Sequence, residues 1–241
     1  MRDSRLQKLA ANLVGYSIDV QPGDNVLIDM IGAERELAKC LVEEVARRGG
    51  RPFVELSDRS VLRTLLLHAT KEQLELWAER DLRRMKEMNG YIAVRSGGNI
   101  NELADVPEDK MRMYEQIYQR PVHLEQRVKH TKWVVLRYPN ESMAQLAKMS
   151  TEAFEDFYFN VCNLDYSRMD KAMEPLRELM ERTDQVRIVG PGTDLRFSIR
   201  GIGAKNVPAS ATFRTAKYLP LRSAIPWRER SPTIHRAFTR A

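Results

Sequence analysis

Four histidines, two cysteines and two glycine-rich turns are the residues of this sequence best suited to chemistry, and their spacing limits what they can do. Zinc sites place His and Cys at short, regular intervals, as in His-Glu-x-x-His or Cys-x-x-Cys. His68, His123, His130 and His235 fit none of these patterns, and no Gly-x-Ser-x-Gly is present. His68 closes the leucine run "LLLH", a context that suits a helix surface or a core position better than a ligand. His123 and His130 stand seven apart on one helical segment, two turns along one face, which is a weak metal pair. Cys40 and Cys162 fall inside helical patterns and read as buried thiols of a reducing cytosol rather than a disulfide.

The turns are equally modest. "GPGTDL", starting at Gly190, resembles a phosphate loop only superficially. It lacks the Lys-Ser/Thr pair and the following helix, so a tight hairpin turn is expected. "RSGGNINEL", from Arg95 to Leu103, follows an expected strand, where open α/β sheets carry their ligand loops, although glycine there is also ordinary turn chemistry. No catalytic, cofactor-binding or metal-ligating residue is therefore assigned to this chain.

The elements around these residues alternate. An amphipathic opening helix mixes acids and bases and is no signal peptide. It is followed by a Pro-Gly-Asp turn and the apolar run Val26, Leu27, Ile28, then by a helix with Leu37, Cys40, Leu41 and Val45 at helical spacing and a Gly-Gly stop. "RPFVELSD" completes a β-α-β unit. A helix started by Thr70, the strand "GYIAVRS", helical segments broken at Pro121 and the strand "TKWVVLRYP" come next. This alternation predicts an α/β domain with a doubly wound, largely parallel sheet over residues 1–182. From Asn140 to Glu181 the pattern is helical, with Met169, Met173, Leu176 and Met180 on one face, a stripe that reads as core or interface rather than a cofactor box.

Val186, Ile188, Leu195, Phe197 and Ile199 then flank Gly-Pro-Gly as a hairpin, which is expected to open a second, incomplete domain at 183–203. One hairpin cannot bury its own apolar face. Residues 204–241 break the pattern. They hold eight Lys/Arg and one acid, which leaves 31 basic and 32 acidic residues in 1–203, so the net charge of +6 belongs to this tail. Without a basic face on the rest of the chain, nucleic-acid binding is not expected, and no apolar run is long enough for a membrane span.

Val134 to Gly201, with "YP", "MA", "MS" and "GTDL", resembles the metal-dependent aminopeptidases of the AmpS, PepS and aminopeptidase T type. "QPGDNVLID" and "GGRPFVEL" match the N-terminal domain of that family. The resemblance is continuous from residue 1 to about 203. It implies a cytoplasmic homodimeric hydrolase that removes N-terminal residues from peptides. Two divalent ions, zinc or cobalt, activate a bridging water and polarise the scissile carbonyl. The family's ligands begin with the Glu of a "GEVFTAP" motif beyond the hairpin; here "TAKYLPL" stands in that place.

A shifted reading frame accounts for the difference. Thr215, Ala216, Lys217 and Tyr218 written ACG GCG AAG TAT regroup as GGC GAA GTA T, which begins Gly-Glu-Val. Permitted codons continue to Ala241 as "GEVFTAPVRDSVEGTITYNTPSVYQG", so a frame slip near Lys205-Asn206 is expected to have produced 204–241 as an aberrant tail. The sequence thus implies a metalloaminopeptidase truncated before its metal site, with no metal bound and no activity. The alternative is a non-catalytic α/β dimerisation or binding module.

Overall fold

The computed structural model describes residues 3–32 and 34–204. The expectations for 205–241, His235 and the shifted tail included, lie outside these residues. Helix α1 (Ser4–Ala11) continues as a π-helical turn, Asn12–Ser17, and is followed by β1 (Asn25–Ile31), α2 (Arg35–Arg47) and β2 (Arg51–Ser57). Next come α3 (Arg59–His68), α4 (Lys71–Lys86), β3 (Gly90–Arg95) and α5 (Glu108–Tyr114). The last of these runs into a π-helical segment, Glu115–Arg127, then α6 (Val128–His130) and β4 (Lys132–Arg137). Three helices, α7 (Glu141–Leu146), α8 (Thr151–Cys162) and α9 (Tyr166–Arg182), precede the hairpin β5 (Gln185–Gly190) and β6 (Thr193–Ser198).

Strands β1 to β4 form one parallel sheet in the order β2-β1-β3-β4. The winding reverses between β1 and β3, so crossover helices cover both faces, as the strand-helix alternation implies. Val26, Ile28, Met30, Ile92 and Val94 pack on one face against α1 and α2, while Leu27, Tyr91 and Ala93 pack on the other against α3, α4 and the long π-helical segment. Burial on both faces explains why β1 and β3 read as continuous apolar runs. Local signals set the helix ends. The Thr70 hydroxyl accepts the Gln73 N–H at 3.2 Å to start α4. After α2 the chain turns through Gly49, whose φ of 78° suits glycine.

Two expectations fail here. Pro121 does not break the helical segment; it sits inside the π-helical stretch, where the wider turn moves away the carbonyl that a proline ring strikes in an α-helix. The methionine face of α9 is not core either. None of its residues is buried, and Leu176 is 58% and Met180 44% exposed. A helical period specifies that a face is apolar but not what covers it.

The hairpin is antiparallel, with Gly190 paired to Thr193 across Pro191 and Gly192, so "GPGTDL" is a tight turn. Its apolar side chains stay open to solvent, Ile188 at 49% and Phe197 at 40%. The β5 and β6 amides should therefore exchange with deuterium well ahead of those of β1 and β3, as segments with little burial open at low free energy. Equal protection in a hydrogen-exchange experiment would contradict this.

Candidate functional site

The residues singled out by the sequence do not converge. His68 is exposed at the end of α3 and His130 is exposed at the end of α6. His123 faces inward, its ring 5.7 Å from Tyr118 and 6.2 Å from Tyr91. The expected shared face of His123 and His130 is lost because π-helical geometry has more residues per turn, and seven positions no longer return to the same side. Cys40 is buried in one core and Cys162 half-buried at its edge, and they are not joined in a disulfide. The Arg95–Leu103 loop lines a cavity at the C-terminal edge of the sheet.

Tertiary packing instead assembles a polar cluster that short sequence patterns barely announce. The Tyr91 hydroxyl donates to the Asp29 carboxylate at 2.6 Å, across adjacent strands. Burial raises the Asp29 carboxyl above its ordinary range, opposed by that hydrogen bond, and burial with the Asp29 charge holds the Tyr91 phenol well above its own. The Arg127 guanidinium lies 4.8 Å from the ring centres of both Tyr91 and Trp133, and its Nε donates to His123 Nδ1 at 3.2 Å. That bond requires His123 to carry its proton on Nε2. Burial, with Arg127, Arg95 and Arg84 adding repulsion, pushes the imidazole down to about 3. Beside it the Tyr118 hydroxyl donates to Asp81 at 2.6 Å, and Arg84 bridges Glu55 at 2.6 Å and Asp81 at 3.4 Å.

This chemistry is that of a scaffold. A base with so low an affinity for protons accepts them poorly at neutral pH, and the raised phenols do not release theirs. The cluster orients side chains without moving protons. A single sequence sign was available, an acid inside the apolar run "VLIDMI", and it marks Asp29 alone.

Above the cluster, the cavity of about 170 Å³ opens between the loop after β3 and the start of α7. An apolar groove between α2 and β2 is lined by Ala38, Val42, Val54 and Leu56. Among the described residues no three His, Cys, Asp or Glu side chains gather into a set that could hold a metal ion. The ligand set of a paired-metal hydrolase does not fit these residues, and no chemical step through a metal follows from them.

A family model for thermophilic metalloproteases (M29) matches residues 2–206. The chain belongs to this family. In three dimensions it is similar to wild-type AmpT from Thermus thermophilus, with a TM-score of 0.63 at 20% identity. The alignment covers 81% of this chain and 53% of AmpT, so the M29 chain spans about half the length of that relative. The AmpT likeness supports the α/β fold with its four-stranded parallel sheet and small hairpin. The CurK enoyl reductase aligns at a TM-score of 0.25 and 12% identity, over 66% of this chain and 50% of its own, which is too weak to carry an argument. No match was found among the curated proteins. No helix among the described residues of this M29 protein is long and apolar enough to cross a membrane.

Proposed function

We propose that this chain is the N-terminal α/β half of a cytoplasmic M29 metalloaminopeptidase, an enzyme that removes N-terminal residues from peptides with two divalent ions, zinc or cobalt. The observation that carries the reading is the family match over residues 2–206. The chain as written has no peptidase activity of its own. The reason is the sequence at Thr215–Leu221, where "TAKYLPL" replaces the motif that supplies the family's first metal-binding Glu. Bringing several anionic or imidazole ligands to about 2.0–2.2 Å of a zinc ion needs that Glu among them.

An aminoacyl-nitroanilide assay with added zinc or cobalt should give no turnover above the blank, and zinc should not bind stoichiometrically. Turnover, or a tight stoichiometric zinc, would overturn the proposal. Sequencing the DNA across codons 200–218 checks the frame slip directly, because restoring the shifted frame should yield "GEVFTAP" and a longer, metal-dependent enzyme.

A second reading, a non-catalytic dimerisation or binding module, is favoured by one observation. Phe53, Val54 and Leu56 of edge strand β2 are 44%, 46% and 57% exposed. Exposed apolar edges are avoided in monomers. A homodimer accommodates both readings, and sedimentation equilibrium measures it.

A further inference from the structure

We propose that the cavity at the C-terminal edge of the sheet binds a compact, doubly charged oxyanion, through Arg59, Arg95 and Arg137. This inference is independent of the peptidase reading. Arg95 and Arg137 are register partners at the ends of β3 and β4, so their side chains leave the sheet on the same face, side by side. Like charges placed opposite each other on neighbouring strands are destabilising, and an anion between them reverses the sign of that interaction. Arg59 is the first residue of α3 and reaches the same cavity from the far side. Its Cδ passes 3.6 Å from where a Cβ on Gly97 would stand.

The charge in the cavity has no direct ion-pair partner among the described residues. No carboxylate lines the cavity, and none of the three guanidinium groups makes a hydrogen bond or ion pair among the described residues. Elsewhere Arg47, Arg63, Arg84 and Arg112 each hold an acid. Asp58, beside Arg59, caps α3 by accepting the Ser60 N–H at 2.7 Å, and Glu141, between Asn140 and Ser142, is exposed and does not line the cavity. Glu102 accepts from Asn99 Nδ2 at 2.9 Å on the rim, and Asp29, which interacts electrostatically with Arg95, is buried beneath and bonded to Tyr91.

The frame around the three arginines is fixed. The Ser96 hydroxyl donates to the Gly32 carbonyl at 2.5 Å, and Asn140 Nδ2 donates to the carbonyls of Ser96 and Gly97 at 3.0 and 3.3 Å. These bonds tie the loop after β3 to β1 on one side and to α7 on the other. The Ser142 hydroxyl, which also lines the cavity, has no hydrogen bond among the described residues.

Size and position select the ligand. At about 170 Å³ the cavity is below the roughly 300–1,000 Å³ that holds drug-sized molecules, which leaves room for a few heavy atoms. Guanidinium forks match the oxygens of phosphate and carboxylate in paired hydrogen bonds. Three cations with no carboxylate lining the cavity favour two negative charges over one. The carboxyl edge of an open parallel sheet is where ligands of such folds bind.

The test is calorimetric titration of the 241-residue chain with inorganic phosphate and, separately, succinate, each against sodium chloride of equal ionic strength. Saturable binding of phosphate, of succinate or of both is expected; a response to one alone tells whether a phosphoryl or a dicarboxylate group is preferred. Arg59→Gln and Arg137→Gln should each weaken it about tenfold or more, the loss of one charged hydrogen bond. Arg120→Gln, whose native guanidinium pairs with Glu125 away from the cavity, should leave it unchanged. Backbone amide shifts of Gly97 and Asn99 in the unmutated protein give a second readout that needs no variant. Binding that chloride mimics, that survives both cavity substitutions, or that leaves those amides unmoved would overturn the assignment.

Discussion

On acidification from about pH 6.5 to about pH 4 the protein should lose about 3 kcal/mol of stability through His123 alone, and His123→Asn should remove that loss. In the unfolded chain the imidazole takes up a proton near its ordinary 6.5, whereas in the folded protein burial beside Arg127 refuses it until about pH 3. The unfolded state therefore binds more protons throughout this window, and stability falls as pH falls. An asparagine in place of the histidine would still offer an oxygen to the Arg127 Nε–H while carrying no titratable group. Asp29 acts in the opposite sense. Its raised carboxyl keeps a proton that the unfolded chain gives up, so its contribution is present at low pH and lost as pH rises through its folded value. Asp58 and Asp105, held low by Ser60 and Arg63 respectively, weaken the fold only as pH drops further, through the carboxylate range. Comparing urea denaturation of the two proteins at several pH values isolates the imidazole. Parallel stability curves would show that His123 is protonated in the fold.

Gly32→Ala should cost about 3 kcal/mol, while Gly98→Ala in the same neighbourhood should stay within about 0.5 kcal/mol of the parent. Gly32 follows β1 with φ of 82°, a conformation that costs an L residue on the order of 1–2 kcal/mol. A Cβ there would also stand 2.7 Å from the Gly97 backbone nitrogen and 3.0 Å from its Cα, atoms that cannot swing aside like a side-chain tip. The two glycines let the ends of β1 and β3 approach closely enough for the Ser96 bond to the Gly32 carbonyl. At Gly98 a Cβ meets nothing within 4 Å and φ is not positive. Denaturant midpoints of the two variants decide the matter, and equal losses would show that close approach of the strand ends is not the cause.

Both results bear on how far the sequence could be read. The four strands and most of the helices between them were legible because each rests on residues a few positions apart; α3 (Arg59–His68) was not read as an element. The run Val26–Leu27–Ile28 implies a strand covered on both faces, Thr70 starts α4 through its own third neighbour, and Gly190–Gly192 closes a hairpin. Family membership was legible for a similar reason, since "QPGDNVLID" and "GTDL" are local strings. Where local reasoning failed, a neighbour distant in sequence or an unusual backbone intervened. Pro121 was accommodated by a π-helical register that no short pattern announces. The apolar face of α9 was recognised correctly as a face, but no periodicity can tell whether a partner covers it.

Short-range periodicity and turn chemistry thus carried the alternation of elements, the doubly wound parallel class and the hairpin turn, while the resemblance of local strings carried the family. Two groupings emerged only once the chain was folded: Asp29, Tyr91, Arg127 and His123 share one buried cluster, and Arg59, Arg95 and Arg137 ring one cavity. Apart from His123 and Arg127, which share one π-helical segment, their members come from separate elements, and parallel register with crossover connections brings together residues far apart along the chain. Their proximity has no local signature, because it arises from which strand lies beside which and how far each extends.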